Sequence, residues 1–227
     1  VFLTNGATAD DVLNFTPELE AAGLAIFNKH HAGPLYTPPA MGSNIIRPGW
    51  SGGANWWGAA FDPDTGWLYV PSWAHFSVVN MSEGDPELSD LRIRPRVSSL
   101  SGPQRLPLFK PPYAQLVALD LNRGERLWSI PIGDGPADHE ALRGLDLPPT
   151  GTFEKLGGPL LTKTLLFIGQ GLTSNKLWAF DKETGAEIWE TDLPAQFYAA
   201  PITYMANGKQ YIALAIGGAD VPDASVR

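Results

Sequence analysis

One short pattern occurs twice, and it constrains the fold of this chain more than any other feature. Residues 118–128 read ALDLNRGERLW and residues 179–189 read AFDKETGAEIW, with Ala, Asp, Gly and Trp in one register 61 residues apart. Each copy describes a β-hairpin. Apolar residues before the Asp form one strand, Asp120 or Asp181 bonds the backbone N–H groups of the turn, and Gly124 or Gly185 takes the φ > 0 position before a strand that carries the Trp. A weaker copy, AFDPDTGWLYV, begins at Ala60 with Val70 in the Trp slot. A residue that recurs once per repeat solves a problem that recurs once per repeat. Trp128 and Trp189 are therefore expected to lie flat between adjacent sheets, against a neighbour's Gly peptide, rather than on a cofactor.

A second element alternates with the first. GPLLTKTLLFIGQG (158–171) and APITYMANGKQYIALAIGG (200–218) both run Pro, apolar pair, Thr, turn, apolar strand, Gly, and their prolines, Pro159 and Pro201, lie 42 residues apart. That period is the size of one four-stranded propeller blade. Residues 158–193 then hold a nearly complete blade, residues 57–133 another with a long insertion, and residues 200–218 begin a third. The expected fold class is all-β, a partial β-propeller with one N-terminal helix. Its division is a helix and connecting loop over 1–48, then blades over 49–227 with insertions at 75–113 and 134–157. Composition agrees: 24 Gly and 21 Pro in 227 residues chop the chain into short elements, while 44% hydrophobic residues suffice for a core.

The helix signal is TPELEAAGLAIFNKHH, with Thr16 as N-cap, Pro17 at the first helical position and Glu18 at the positive end of the dipole. Leu19, Ala22, Gly23, Ile26 and Phe27 share one face, and Gly33-Pro34 stops the run. The 75–113 insertion has no period and six prolines. Glu83, Asp85, Glu87 and Asp90 precede Arg92, Arg94, Arg96 and Arg105, so a solvated loop whose acidic half folds back on its basic half is expected. Residues 134–157 read as a second excursion with a short helical turn.

Charge and motifs remove several function classes. A net charge of −8 repels polyphosphate and anionic lipid, so no nucleic-acid partner is expected. Cysteine is absent, which excludes disulfides, thiolate metal sites and a cysteine nucleophile. No apolar run is long enough to span a membrane, and Val1 reads as a cut into a longer protein. Gly49-Trp50-Ser51-Gly52-Gly53 has the G-x-S-x-G spacing of a nucleophile elbow but lacks the strand before and helix after it, so a tight turn with close backbone approach is expected. The stretch from Asp62 to Gly66 lacks the bidentate Glu of a calcium loop and reads as a β-turn. His30, His31, His75 and His139 lack ligand spacing. No catalytic and no metal-ligating residue is assigned. Asn55, Trp56 and Trp57 stand apart, because they lie outside the repeat at the start of an inner strand, where a blade faces the central channel. An amide beside aromatic faces suits a flat polar ligand.

GGANWWGAAFDPDTGWLYVPS (52–72), the paired A-x-D-x-x-x-G-x-x-x-W repeats, GGPLLTKTLLFIGQG and AAPITYMANGKQYIALAIGG together resemble the C-terminal part of pyrroloquinoline quinone (PQQ)-dependent dehydrogenases, more the glucose and quinate type than the methanol type. The resemblance implies an eight-bladed quinoprotein propeller of which this chain holds the last two to three blades, packed on the remaining blades of the parent chain. It also implies oxidation of a small alcohol or sugar with PQQ and Ca2+, and electron transfer to a quinone or cytochrome. It places the parent in the periplasm, attached or not to the inner membrane by a region outside this chain. Asn55 and Trp56 match the cofactor-contacting Asn-Trp pair, and the metal ligands and catalytic aspartate fall in earlier blades. The fragment alone is then expected to be inactive and, with raw sheet edges, to associate. The rival reading is a non-catalytic propeller used as a protein-binding scaffold in the cell envelope.

Overall fold

The structure is a computed structural model that describes residues 3–55, 57–153, 156–170, 175–197 and 199–217. Among the described residues one α-helix, α1 (Pro17–Phe27), precedes thirteen strands: β1 (Gly42–Ile46), β2 (Ala60–Asp62), β3 (Trp67–Trp73), β4 (Ser77–Glu83), β5 (Ile93–Ser98), β6 (Ala114–Asp120), β7 (Glu125–Pro131), β8 (Leu160–Leu161), β9 (Leu165–Gly169), β10 (Lys176–Asp181), β11 (Glu187–Asp192), β12 (Ile202–Ala206) and β13 (Lys209–Ala213). They assemble as two four-stranded antiparallel sheets, β2-β3-β6-β7 and β8-β9-β10-β11, a two-stranded pair β12-β13, and a separate sheet in the order β1-β4-β5. In both four-stranded sheets the chain visits the strands in sequence order, which is the meander of a propeller blade. The edge strands β2 and β8 pack side by side.

The repeated hairpins form as their turn chemistry dictates. Asp62, Asp120 and Asp181 each accept from N–H groups of their own turn, at 3.1 Å from Asp64, 2.9 Å from Asn122 and 2.8 Å from Thr184. Gly66, Gly124 and Gly185 close these turns at φ of 74°, 69° and 74°. Trp128 pairs with Ala118 and Trp189 with Ala179, and both ladders shift register at the next residue, so the same bulge aims both indoles. The copy at Ala60 differs in place. It supplies β2 and β3, the first two strands of its blade, whereas the Trp-bearing copies supply the last two of theirs. Its counterparts by position are β8-β9 and β12-β13, so turn chemistry alone does not fix a hairpin's position in a blade.

The two blades meet face to face. Tyr69, Leu116 and Ala118 from the first pack with Leu166, Ile168, Trp178 and Phe180 from the second, all buried. Asp62 and Lys182 add a buried ion pair across the same interface at 2.6 Å.

A second core lies under α1, where Leu19 and Phe27 meet Leu13, Ile45, Val78, Leu106 and Phe109. Thr16 caps the helix, its hydroxyl oxygen accepting from the Leu19 N–H at 3.3 Å. The helix stops at Phe27, short of the histidines, where the N–H groups of Lys29 and His30 turn back to the carbonyls of Ile26 and Phe27.

The insertion departs from the solvated loop that its prolines suggest. It supplies β4 and β5, and β1 from the connecting segment pairs with β4 (Asn44 opposite Val79, Ile45 opposite Val78). The acidic and basic halves do fold together, with Ser82 opposite Arg94 and Glu83 opposite Ile93. The ladder holds them, since among the described residues no ion pair joins those acids to those arginines. A pairing partner more than thirty residues upstream is invisible to local pattern.

Candidate site at the hub of the blades

Each of the three blades is reached through a segment just ahead of its first strand, and these segments converge. A Cβ on Gly158, before β8, would lie 2.8 Å from the Ala200 Cβ, before β12, and 2.9 Å from the Trp57 carbonyl oxygen, before β2. Only glycine allows three chain passages to meet this closely. With β2 against β8, this convergence marks the inner end of the blades.

Asn55 stands at that end. Its carbonyl accepts from the Gly58 N–H at 3.1 Å, with Gly58 at φ 86°, so a turn carries the chain from Asn55 into β2. Asn55 is exposed, and its side-chain amide donates a long hydrogen bond of 3.5 Å to the Ser51 carbonyl. Asn55, Trp57, Trp73 and Leu156 line one crevice between the first two blades. The crevice encloses only about 20 Å³, so a flat ring system would rest against this surface rather than be swallowed by it. An amide that can donate and accept, beside indole faces, fits the edge and plane of a polar aromatic ring. Trp56, the second residue expected in this role, lies outside the described residues.

The glycine-rich stretch before Asn55 behaves as a close-approach turn. The Gly49 N–H donates to the His75 carbonyl at 2.7 Å, and Gly53 and Trp73 exchange backbone bonds of 2.7 and 3.2 Å. A Cβ on Gly49 would strike the Phe76–Ser77 backbone at 2.6 Å, and one on Gly52 the His75 carbonyl at 2.7 Å. These contacts fix the approach to Asn55 to the far end of β3, and Ser51 lies in a turn with neither a strand leading into it nor a helix following it.

The Asp62 turn is also structural. Lys182 donates to its carboxylate and, as the main cause, holds it below the usual carboxylate range, with burial opposing. His30, His31 and His139 bond Ser43, the Pro38 carbonyl and the Gln104 carbonyl. Among the described residues no three His, Asp or Glu side chains stand together where they could hold a metal ion.

Sequence reasoning missed Gly158 and Lys182. Gly158 sits in a plain Gly-Gly-Pro string, and its importance arises only from two passages 101 and 42 residues away in the chain. Lys182 had a signal: the residue after the turn aspartate is Leu121 in the first Trp-bearing copy and Lys182 in the second, a polarity change that marks a new partner.

The family model for the PQQ "Glucose/ethanol/alcohol dehydrogenase, beta-propeller domain" matches residues 1–212. The large subunit of a glycerol dehydrogenase from Gluconobacter thailandicus is 29% identical over 213 residues, covering 81% of this chain and 28% of that protein. A quinate/shikimate dehydrogenase (quinone) from Acinetobacter baylyi is 28% identical over 216 residues, covering 82% of this chain and 26% of that protein. The chain thus spans about a quarter of the length of these curated relatives. Among solved structures, a quinohemoprotein alcohol dehydrogenase from Pseudomonas putida HK5 superposes with a TM-score of 0.56 at 22% identity, over 78% of this chain and 24% of that one. A europium-containing methanol dehydrogenase gives 0.51 at 21% identity, over 76% of this chain and 26% of that one. These two likenesses show the fold.

Proposed function

Because the chain belongs to the PQQ glucose/ethanol/alcohol dehydrogenase β-propeller family, we propose that it forms the part of a dehydrogenase propeller that closes one side of the cofactor site. The parent enzyme oxidises an alcohol or sugar. Asn55 and Trp56 contact the cofactor, and the single observation carrying this reading is the placement of the Asn55 amide at the inner end of the blades, beside Trp57 and Trp73.

PQQ, when bound, supplies a carbonyl that takes up the two electrons leaving the carbinol carbon. This chain binds and orients. The Asn55 amide hydrogen-bonds the ring edge, the neighbouring indoles offer apolar faces, and Gly158 lets the three inner strands converge beneath. A calcium ion and the base that takes the hydroxyl proton come from segments outside this chain, and the electrons pass on to a quinone or cytochrome in the periplasm.

The test is spectroscopic. The full-length protein, titrated with PQQ in the presence of Ca2+, should develop a saturable bound-cofactor absorption band and then reduce a dye acceptor with an alcohol or sugar donor. Absence of saturable uptake would sink the cofactor assignment; uptake without turnover on any alcohol or sugar would sink the dehydrogenase assignment.

A further inference from the structure

A cavity of about 470 Å³ opens between the end of the first blade and the insertion. Its walls include Trp73, Phe76, Phe109, Tyr113 and Phe153. The rings brace one another, with Tyr113 and Phe153 4.2 Å apart between centroids and Phe76 edge-on to Phe109 at 4.9 Å. The volume suits one small molecule, and flat apolar walls suit a ring.

The rim says what the ring carries. Ser99, Ser101 and Arg105 stand there, all exposed and all able to donate a hydrogen bond. Arg105 joins none of the ion pairs among the described residues. In a chain of net charge −8, no Asp, Glu, Asn or Gln lines this cavity among the described residues. A sugar or polyol, whose hydroxyls need acceptors as well as donors, finds no carboxylate or side-chain amide here. An anion with an apolar body finds donors at the mouth and ring faces behind them. The rim is also a built turn. Gln104 and Arg105 are consecutive non-glycine residues in the left-handed region, at φ 52° and 68°, a conformation that costs energy and collects at ligand sites. It is held by the Gly102 N–H to the Leu106 carbonyl at 2.7 Å and by His139 on the Gln104 carbonyl at 3.1 Å. A Cβ on Gly102 would lie 2.7 Å from the Pro107 carbonyl oxygen, so the turn folds back this tightly only with glycine there.

We infer that this cavity is a binding site for a small aromatic carboxylate, whose ring lies against the aromatic walls while its carboxylate accepts from the Arg105 guanidinium and the serine hydroxyls at the rim. This ligand is neither the cofactor nor the uncharged alcohol or sugar proposed as the parent enzyme's substrate. The inference stands on the cavity alone and not on the reading of the preceding subsection.

The experiment is a calorimetric titration of the cofactor-free full-length protein with benzoate, with benzamide as its neutral counterpart of the same shape, and with acetate as the same charge without a ring. Benzoate should saturate one site, benzamide should bind about tenfold more weakly, and acetate should not saturate. Arg105→Ala, at an exposed position, should weaken benzoate about tenfold and leave benzamide unchanged. Val97→Trp, which fills the cavity from its partly exposed wall, should abolish benzoate binding while the protein still melts cooperatively. No saturation by benzoate, or saturation that Val97→Trp leaves intact, overturns the site. Equal binding of benzoate and benzamide, or unchanged benzoate binding in Arg105→Ala, overturns the carboxylate. Acetate binding as tightly as benzoate overturns the ring. PQQ takes no part in these titrations, so their result and the cofactor assignment stand or fall separately.

Discussion

The Trp128 indole lies against Gly185 of the next blade, where a Cβ would sit 3.0 Å from its ring. The contact joins the last strand of one blade to the last hairpin turn of its neighbour, so the tryptophan of the first Trp-bearing repeat packs on the turn glycine of the second. Gly185 thus carries two demands, a φ of 74° and room for the indole, while Gly124 carries only the first, at φ 69° with nothing within 4 Å.

This separates two costs. Gly124→Ala should destabilise by about 1 kcal/mol, the penalty of an L-residue at positive φ. Gly185→Ala should cost ~1–3 kcal/mol more, because the ring has to move within a packed interface. Urea unfolding of the two variants measures the difference, and equal losses would deny the inter-blade contact.

The Asp62–Lys182 pair should be a strong determinant of how the blades dock. Lys182→Met leaves a buried carboxylate without its partner and should cost about 3–5 kcal/mol, whereas Asp62→Leu with Lys182→Met together should cost much less. The pair also fixes a pH dependence. The folded pKa of Asp62 is lowered, chiefly by the Lys182 hydrogen bond, so its contribution is present above the ordinary carboxylate value of ~3.9 and disappears as pH falls below that through the lowered folded value. Stability measured from pH 6 down to 2 should fall less steeply in Lys182→Met than in the parent; superimposable slopes would contradict the assignment.

Trp189 should behave unlike its repeat-mate. It is 49% exposed, and Ile188, Ile202, Tyr204 and Met205 around the outer sheets are also exposed. Trp128→Ala should therefore cost several times more than Trp189→Ala in this chain, with an upper figure of about 3–5 kcal/mol for a well-packed tryptophan. The same exposed faces and sheet edges should drive residues 1–227, expressed alone, to associate. Sedimentation showing a monodisperse, cooperatively melting monomer would contradict this.

How far the sequence could be read depends on the range of each interaction. The Asp-to-Gly turns and the Thr16 cap were legible because each is settled within about a dozen neighbouring residues; the flat docking expected of both tryptophans holds for Trp128 on Gly185, whereas Trp189 is 49% exposed in this chain. The blade order followed from their spacing. The β1-β4 pairing was not legible, since β4 and β5 mix Val78 and Val79, which are buried, with Arg94 and Arg96, which are exposed, and carry a proline within the strand. At the site, Asn55 could be picked out by standing outside the repeat. Gly158 could not, because its value lies in two chain passages that only tertiary packing brings to it.

If the Asn55 amide faces a cofactor at the hub, cofactor uptake depends on that amide. PQQ uptake is followed by absorbance in the full-length protein, in Asn55→Ala, and in Asn80→Ala, an amide that instead bonds Ser98 on the insertion. The account predicts roughly tenfold weaker uptake in Asn55→Ala, the loss of one good hydrogen bond, with Asn80→Ala unchanged. Identical uptake curves for Asn55→Ala and the parent protein would contradict it.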